Sequence, residues 1–596
     1  MDKKNTTIGV LLLLAAFAII YFAPRSAPPP TASGPETSAP STPAATAATP
    51  GDTPAAAPVQ TANPVNAAFA AVNQESAGAT VTTLSNDFVE ARFSDFGGAL
   101  REVALKKYSK ELKGTSPYVF NEQRADPILA FVDLPGLDRN TRFTRVRHSD
   151  TEVVYRAVVD NRLEVTRRYV LAPNKGENTD PYQVRHETTF RNLTDQTLQP
   201  MRVALSLGTA APNDEKDPGL MLKTGFSNGS DQTFIPRSDL EASGGFFGIG
   251  AHTSRPFIAS GGPIAWAAVK NQFFVSILTG DEPATGLITK RVKLFTALPD
   301  DAHNAYGITG AAQFDLKGME PKGVATLAGS LYVGPKEYRR LANTNAFKAN
   351  QDKIMDFGFF KFFSQILLTL MTWIHGWTSN WGVAIILTTL TLKTIFIPFT
   401  LAASRSAKRM AKLQPELQAI REKYKDNPQK QQQATMELFK ERKINPVGGC
   451  FPILITIPFF MGFFTMLQSA AELRFAPFLW APDLSTTDTV AYLWVLPLNI
   501  MPLLMGATMI IQMHLTPSPS VDNMQMKMMK VMPYIFTLFC YNFSCALSLY
   551  SFINGLFSIG QQLVINRMKD PAEAPAAKPA FVGGKVVKNV TPGKKK

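Results

Sequence analysis

One lysine stands where a charge is hardest to keep. Leu390 to Pro398 reads LTLKTIFIP, inside an apolar run from Asn380 to Ala403 long enough to cross a bilayer, and Lys393 is its only formally charged side chain. A lysine at that depth costs roughly 2.5–3.5 kcal/mol on insertion scales, so it is kept for a reason. One reason is mild: the side chain snorkels toward the basic cluster that begins at Arg405. The other is chemical. Thr388, Thr389, Thr391 and Thr394 surround Lys393, Thr456 and Gln468 lie in the next apolar run, and Tyr550, Asn554, Ser558, Gln561 and Gln562 lie in the last. Together they would line a wet cavity in which Lys393 stays ionised. No acidic residue occurs at corresponding depth in the other runs, so the charge is free to attract a carboxylate from elsewhere. Transporters usually pair such charges internally or show coupling carboxylates, which counts against an ion-coupled pump.

Other chemistries find little support. The three cysteines, Cys450, Cys540 and Cys545, fall in the apolar C-terminal half and read as small packing residues rather than a disulfide framework. The six histidines make no HExxH or similar ligand spacing, so no metal site and no cofactor are expected. The 596 residues carry 45% hydrophobic and 18% charged side chains with a net charge of +14, a composition neither wholly soluble nor wholly membrane-embedded.

The elements that must position Lys393 follow from patterning. Residues 1–23, with Lys3 and Lys4 ahead of an apolar run from Ile8 to Ala23, read as an uncleaved anchor, because bulky Tyr21 occupies the −3 position of a cleavage site after Ala23. Residues 24–80, rich in Ala, Pro, Thr and Ser, form a flexible tether. Over 81–336 the period becomes two, as in Leu163, Val165, Arg167, Tyr169 and Leu171, which predicts one large β-sandwich. Sugar-processing enzymes of this size exist, but no carboxylate pair or nucleophile stands out, and a structural or docking domain is the preferred reading. Residues 337–379 are aromatic-rich and end too close to Asn380 for two separate crossings, which predicts an interfacial amphipathic helix.

Residues 380–403 form a transmembrane span, and 446–570 hold four more: about Val447–Ala470, Val490–Leu515, Val531–Cys545 and Leu547–Ile565. With the anchor that makes six. Residues 404–443 carry eleven Lys/Arg against five Asp/Glu, 472–489 one against three, and 567–596 eight against two. The alternation predicts a multi-pass protein of a bacterial inner membrane with both termini cytoplasmic and the sandwich in the periplasm. Within the cytoplasmic stretch 404–445, Met410, Leu413, Leu417, Ile420 and Tyr424 form a narrow apolar stripe, Asp426-Asn-Pro428 breaks it, and Met436, Leu438 and Phe439 follow. This predicts a charged helical hairpin with a docking role. The basic tail, 571–596, suits ribosomal RNA or anionic lipid.

The run Asn445-Pro-Val-Gly-Gly-Cys-Phe-Pro-Ile-Leu-Ile-Thr-Ile-Pro-Phe-Phe460, the Asn380-Trp-Gly run, the basic hairpin and the closing Gly560-Gln-Gln resemble the YidC/Oxa/Alb family of membrane protein insertases. The order of anchor, periplasmic sandwich and five-helix core resembles the family's Gram-negative branch. The resemblance implies a monomeric, non-enzymatic insertase and chaperone that takes nascent membrane proteins from the ribosome, alone or beside the Sec translocon. It implies a groove open to cytoplasm and lipid, with Lys393 as the positive residue that attracts acidic translocated segments. It implies Thr456, Tyr550 and Ser558 as the groove's polar neighbours, and Phe460 and Phe539 on an apolar slide along which substrates reach lipid. Two positions depart from the bacterial pattern, which has arginine at Lys393 and glutamine at Thr456. Lysine keeps the charge and loses the planar fork of donors. A solute transporter with a periplasmic sensor domain is the alternative of another class.

Overall fold

In the computed structural model the strand Leu163–Leu171 turns Val165, Tyr169 and Leu171 inward, as its alternation predicts. The structure describes residues 78–567 apart from short internal stretches, the longest being 245–250, 443–450 and 516–523, together with two short strands at Phe581–Val582 and Lys585–Val586. The expected anchor (1–23), nearly all of the tether, the Asn445–Cys450 part of the signature run and most of the basic tail lie outside the described residues.

The chain divides into two units, residues 1–369 with 459–486, and residues 370–458 with 487–596. The first holds a large antiparallel β-sandwich. Its nine-stranded sheet runs from the edge strand Gln232–Pro236 through Lys223–Ser227, Trp266–Lys270, Phe274–Gly280, Val324–Pro335, Gln183–Asn192, Leu163–Leu171 and Glu152–Val159 to Thr144–His148. A five-stranded sheet orders Ile258–Ile264, Ala284–Lys293, Tyr306–Leu316, Met201–Ala210 and Phe131–Val132, and a four-stranded sheet covers Val81–Phe120. Trp266, Tyr155, Phe190, Phe274 and Leu331 are among the side chains removed from water between the layers.

Arg167 breaks the alternation's simple meaning. It lies on the inward face of its strand and is fully buried. Its guanidinium donates to Gly97 O at 2.8 Å and to Leu129 O, and it sits over the rings of Phe131 at 4.4 Å and Tyr169 at 5.6 Å. Carbonyls and ring faces stand in for a carboxylate here.

The stretch just after the helix Phe451–Ser469 belongs to this same unit. Arg474 lies against Phe475 (4.2 Å), Tyr118 and Phe274 (both 5.4 Å), and donates to the carbonyls of Ser109 and Lys110. Glu472 is deeply enclosed, and burial, with Glu337 nearby, pushes its carboxyl up to about 8. Burial likewise pulls the Lys336 ammonium down to about 7, against the attraction of Asp356. Gln272 of the sandwich donates to Gln468 O at 3.0 Å. Gln468 therefore lies at the sandwich end of its helix rather than at mid-span depth.

Eight longer helices are described as well. They are α1 (Lys361–Thr378), α2 (Trp381–Lys412), α3 (Gln414–Lys423), α4 (Pro428–Glu441), α5 (Phe451–Ser469), α6 (Ile500–Leu515), α7 (Met524–Phe539) and α8 (Cys545–Arg567). Among the described residues one helical segment, Trp381–Leu401, is long and apolar enough to cross a bilayer; Ile500–Leu515 is a shorter apolar helix. α2 runs without a break past Ala403 to Lys412, so one rod carries Lys393 and leads directly to the basic hairpin.

That hairpin has a small core of its own. Leu413, Leu417 and Leu438 are buried together, with Ile420 and Phe439 packed against them. Asn427 caps α4 by accepting from Lys430 N at 3.0 Å, with Pro428 in the first turn, and Arg442 pairs with Glu416 at 2.8 Å. Met436, named from the sequence beside Leu438 and Phe439 on the second helix, is exposed.

The apolar run from Val490 corrects the sequence reading, which began a span there. Thr489–Leu493 and Leu496–Asn499 form a β-hairpin, and only Ile500–Leu515 is helical. Thr489, Val490 and Tyr492 favour extended backbone, and Pro497 has no amide N–H for a helix interior.

Candidate functional site

Lys393 is half-buried on α2, and its Nζ donates to Ser558 Oγ on α8 at 2.9 Å. Ser558 in turn donates to Asn554 O, one turn back, at 2.8 Å. A second polar tie joins the same two helices, from Gln561 Nε2 to Thr400 Oγ1. α8 packs along α2 and α6. The approach to α6 is close: a Cβ on Gly555 would overlap the Thr508 side chain, so a bare α-carbon is needed there.

Among the described residues Lys393 has no ion pair, and the Ser558 hydroxyl is its hydrogen-bond partner. An ammonium has three N–H donors, and this contact uses one. The site therefore presents a cation with donor capacity to spare, fixed in place by a neutral group.

The threonines are also bonded within their own helix. Thr389, Thr391 and Thr394 donate to Ile385 O, Leu387 O and Leu390 O of their own helix at 2.7–2.8 Å. Thr391 and Thr394 are exposed, while Thr389 is buried. Only Thr388 keeps a buried hydroxyl without a partner among the described residues. Back-bonding ties the donors of Thr389, Thr391 and Thr394 to α2, and leaves the exposed Thr391 and Thr394 oxygens able to accept a further bond.

Of the groove residues expected from the sequence, Lys393 and Ser558 are brought together. Tyr550 is buried on α8, about two turns before Ser558. Thr456 and Phe460 are half-buried on α5, which passes from one unit to the other at Pro458. Phe539, at the end of α7, is exposed, as are Val531, Tyr534, Ile535 and Leu538 on the same helix. A helix with this much exposed apolar surface is suited to lipid.

The comparisons with known proteins agree with this architecture. Residues 373–573 match the family described as 60Kd inner membrane protein, and residues 81–370 match the YidC periplasmic domain. The membrane protein insertase YidC of Methylobacillus flagellatus is 30% identical over 588 residues, covering 96% of this chain and 99% of the relative. The chain belongs to the YidC family of membrane protein insertases. The YidC insertase of Tolumonas auensis is 32% identical over 503 residues, 81% of this chain and 86% of that protein. A solved active YidC insertase with its first transmembrane domain resolved has 18% identity, 82% and 93% coverage and a TM-score of 0.32.

An insertase of this family is an inner-membrane protein with a periplasmic domain, here the β-sandwich, and is not an enzyme. The solute-transporter reading gains no support from these relatives. Two features of the insertase escaped the sequence reading. Arg474 entered it only as the one basic charge of 472–489, and the polar residues listed around Lys393 did not by themselves pick out Ser558 as the one that receives its Nζ.

Proposed function

We propose that Lys393 is the transient counter-charge of the insertase, holding an acidic segment of a nascent membrane protein while that segment crosses. The supporting observation is its single neutral tether, Ser558 Oγ at 2.9 Å, with no ion pair among the described residues. A carboxylate arriving from a substrate meets an ammonium that needs no internal partner to be displaced. The attraction is strong in low-dielectric surroundings and is lost again when the substrate moves into lipid. Thr456, Tyr550 and Ser558 form the polar surroundings of the groove, and Phe460 and Phe539 lie on the apolar path out of it.

In this reading the chain crosses the membrane six times with both termini in the cytoplasm, and α1 lies in the outer interface. α3 and α4, with the basic tail, receive the ribosome and its nascent chain. The protein acts as a monomer, alone or beside the Sec translocon. Exposed Trp373 and Trp377 on α1 suit a membrane boundary.

The test is insertion into vesicles of a substrate with an acidic translocated end, beside the same substrate with that end neutralised. Lys393→Ala slows the acidic substrate about tenfold, the equivalent of about 1.4 kcal/mol, and spares the neutral one. Lys393→Arg restores insertion because charge is what acts. Equal rates for Lys393→Ala and wild type on the acidic substrate would remove the electrostatic role.

A further inference from the structure

The β-hairpin Thr489–Asn499 carries the most exposed large apolar side chain among the described residues. Trp494, at its tip, is 99% exposed, flanked by Leu493 and Leu496, each 71%, and Tyr492 at 62%. Leu493 pairs with Leu496 across the turn, so the loop is two residues long. Tight turns of this length favour Asn or Gly in their left-handed positions. Trp494 takes φ = 58° instead, an unfavourable region for a bulky residue. The chain accepts that strain to hold an indole outermost, and such outliers point to function.

The tip is mounted rigidly. Asn499 is fully buried and donates from Nδ2 to Tyr541 O at 3.0 Å, while Tyr541 Oη donates to Pro497 O at 2.6 Å. Asp488 accepts from Met501 N at 2.7 Å and so closes the first turn of α6. From Thr489 to Asn499 there is no charged residue. The hairpin leads directly into α6, where Leu503 and Ile511 are exposed, and the exposed flank of α7 belongs to the same unit.

We infer that this hairpin is a lipid-interface anchor: Trp494, Tyr492 and the two leucines insert among phospholipid headgroups and upper acyl chains where α6 meets the membrane border. Trp and Tyr are the side chains that favour this layer, with an apolar body and a polar edge. The absence of charge removes any requirement for anionic lipid. A soluble protein partner would leave this surface bare whenever it dissociated, whereas lipid covers it continuously. The anchor fixes the level at which α6 begins, and through Asn499 and Tyr541 the level at which α7 ends.

The experiment uses the full chain in vesicles of phosphatidylethanolamine and phosphatidylglycerol, with tryptophan emission quenched either by lipids brominated near the headgroup or by iodide in the water on both sides. The chain has six tryptophans, so the difference between wild type and Trp494→Phe reads Trp494 alone. The variant keeps an apolar tip. Trp494→Phe is expected to remove a bromine-quenched component and leave the iodide-quenched component unchanged. Leu493→Asp with Leu496→Asp, leaving Trp494 in place, is expected to move that component from bromine-quenched to iodide-quenched. An iodide-quenched Trp494 in the wild type overturns the inference, and so does one that neither quencher reaches, which would place it against protein. Bromine reads lipid contact in either leaflet, so failure here is distinct from failure of the proposed topology, which protease protection of the sandwich tests.

Discussion

Arg167 in the sandwich and Lys393 on α2 are both cations without a carboxylate partner among the described residues, and they are built for opposite ends. Arg167 is fully buried, bonded to two carbonyls and covered by two aromatic rings. Lys393 is half-buried and holds one hydroxyl. The first is closed on every side, and its guanidinium fork knits three segments of chain together. The second has spare donors and a compact charge on a flexible stem. The contrast teaches that an unpaired cation is a structural device when protein oxygen surrounds it, and a receptive one when it does not.

The largest effect that can break this contrast is on stability. Arg167→Met strands the Gly97 and Leu129 carbonyls and should lower the stability of the sandwich by ~3 kcal/mol. Thermal unfolding followed by near-ultraviolet circular dichroism would read this as a drop of roughly 6–12 °C. An unchanged midpoint would mean the guanidinium holds nothing together. Lys393→Met should do the reverse, leaving the unfolding midpoint unchanged or raised while insertion of acidic-ended substrates falls about tenfold, since removing a desolvated charge relieves its burial. A large loss of stability in that variant would make Lys393 a second Arg167.

A smaller effect concerns pH. Glu472 has a folded value of about 8 against an ordinary 4.5, so the native state holds a proton that the unfolded chain releases. Its contribution is therefore fully present below about pH 4.5 and lost as pH rises through 8. Glu472→Gln does not titrate, so its midpoint should match wild type near pH 5 and exceed it increasingly toward pH 8. A constant gap across that range would mean Glu472 is ionised in the fold. Lys336, depressed to about 7, works with the opposite sign by favouring the fold as pH rises from there toward 10.5. Smallest of all, Ser558→Ala should change insertion only about twofold, because the ammonium keeps its charge when this tether is removed. A loss equal to that of Lys393→Met would make Ser558, rather than the charge, the centre of the site.

Much of the architecture was legible because it rests on periodicity. Alternation over Leu163–Leu171 marked a strand, and the stripe Leu413, Leu417, Ile420 marked one face of a hairpin that the structure packs against Leu438 and Phe439. The Lys393 locus was legible because a charge in an apolar run is conspicuous. What stayed hidden depends on tertiary partners. The alternation placed Arg167 on the inward face, but nothing local announced the carbonyls that would receive it. Apolar residues at 490–499 fit a helix and a strand equally by hydrophobicity, and the hairpin was decided by Asn499, Tyr541 and the geometry of one tight turn. Polar letters showed only part of what they do. Thr391 and Thr394 resemble cavity lining in the sequence, yet their hydroxyls are already engaged by their own helix.

Those hydroxyls also make α2 mechanically uneven. Pro398 has no N–H to offer the carbonyl one turn back, and it is bracketed by Thr394, bonded to Leu390 O, and Thr400, shared between Phe396 O and Ile397 O. Carbonyls drawn toward side chains hold the helical ladder less firmly, and with a proline between them the rod gains a compliant collar. The collar lies between Lys393 and the basic hairpin. A load on the hairpin is taken up there as bending, and the ammonium keeps its position on α8 while the hairpin end swings.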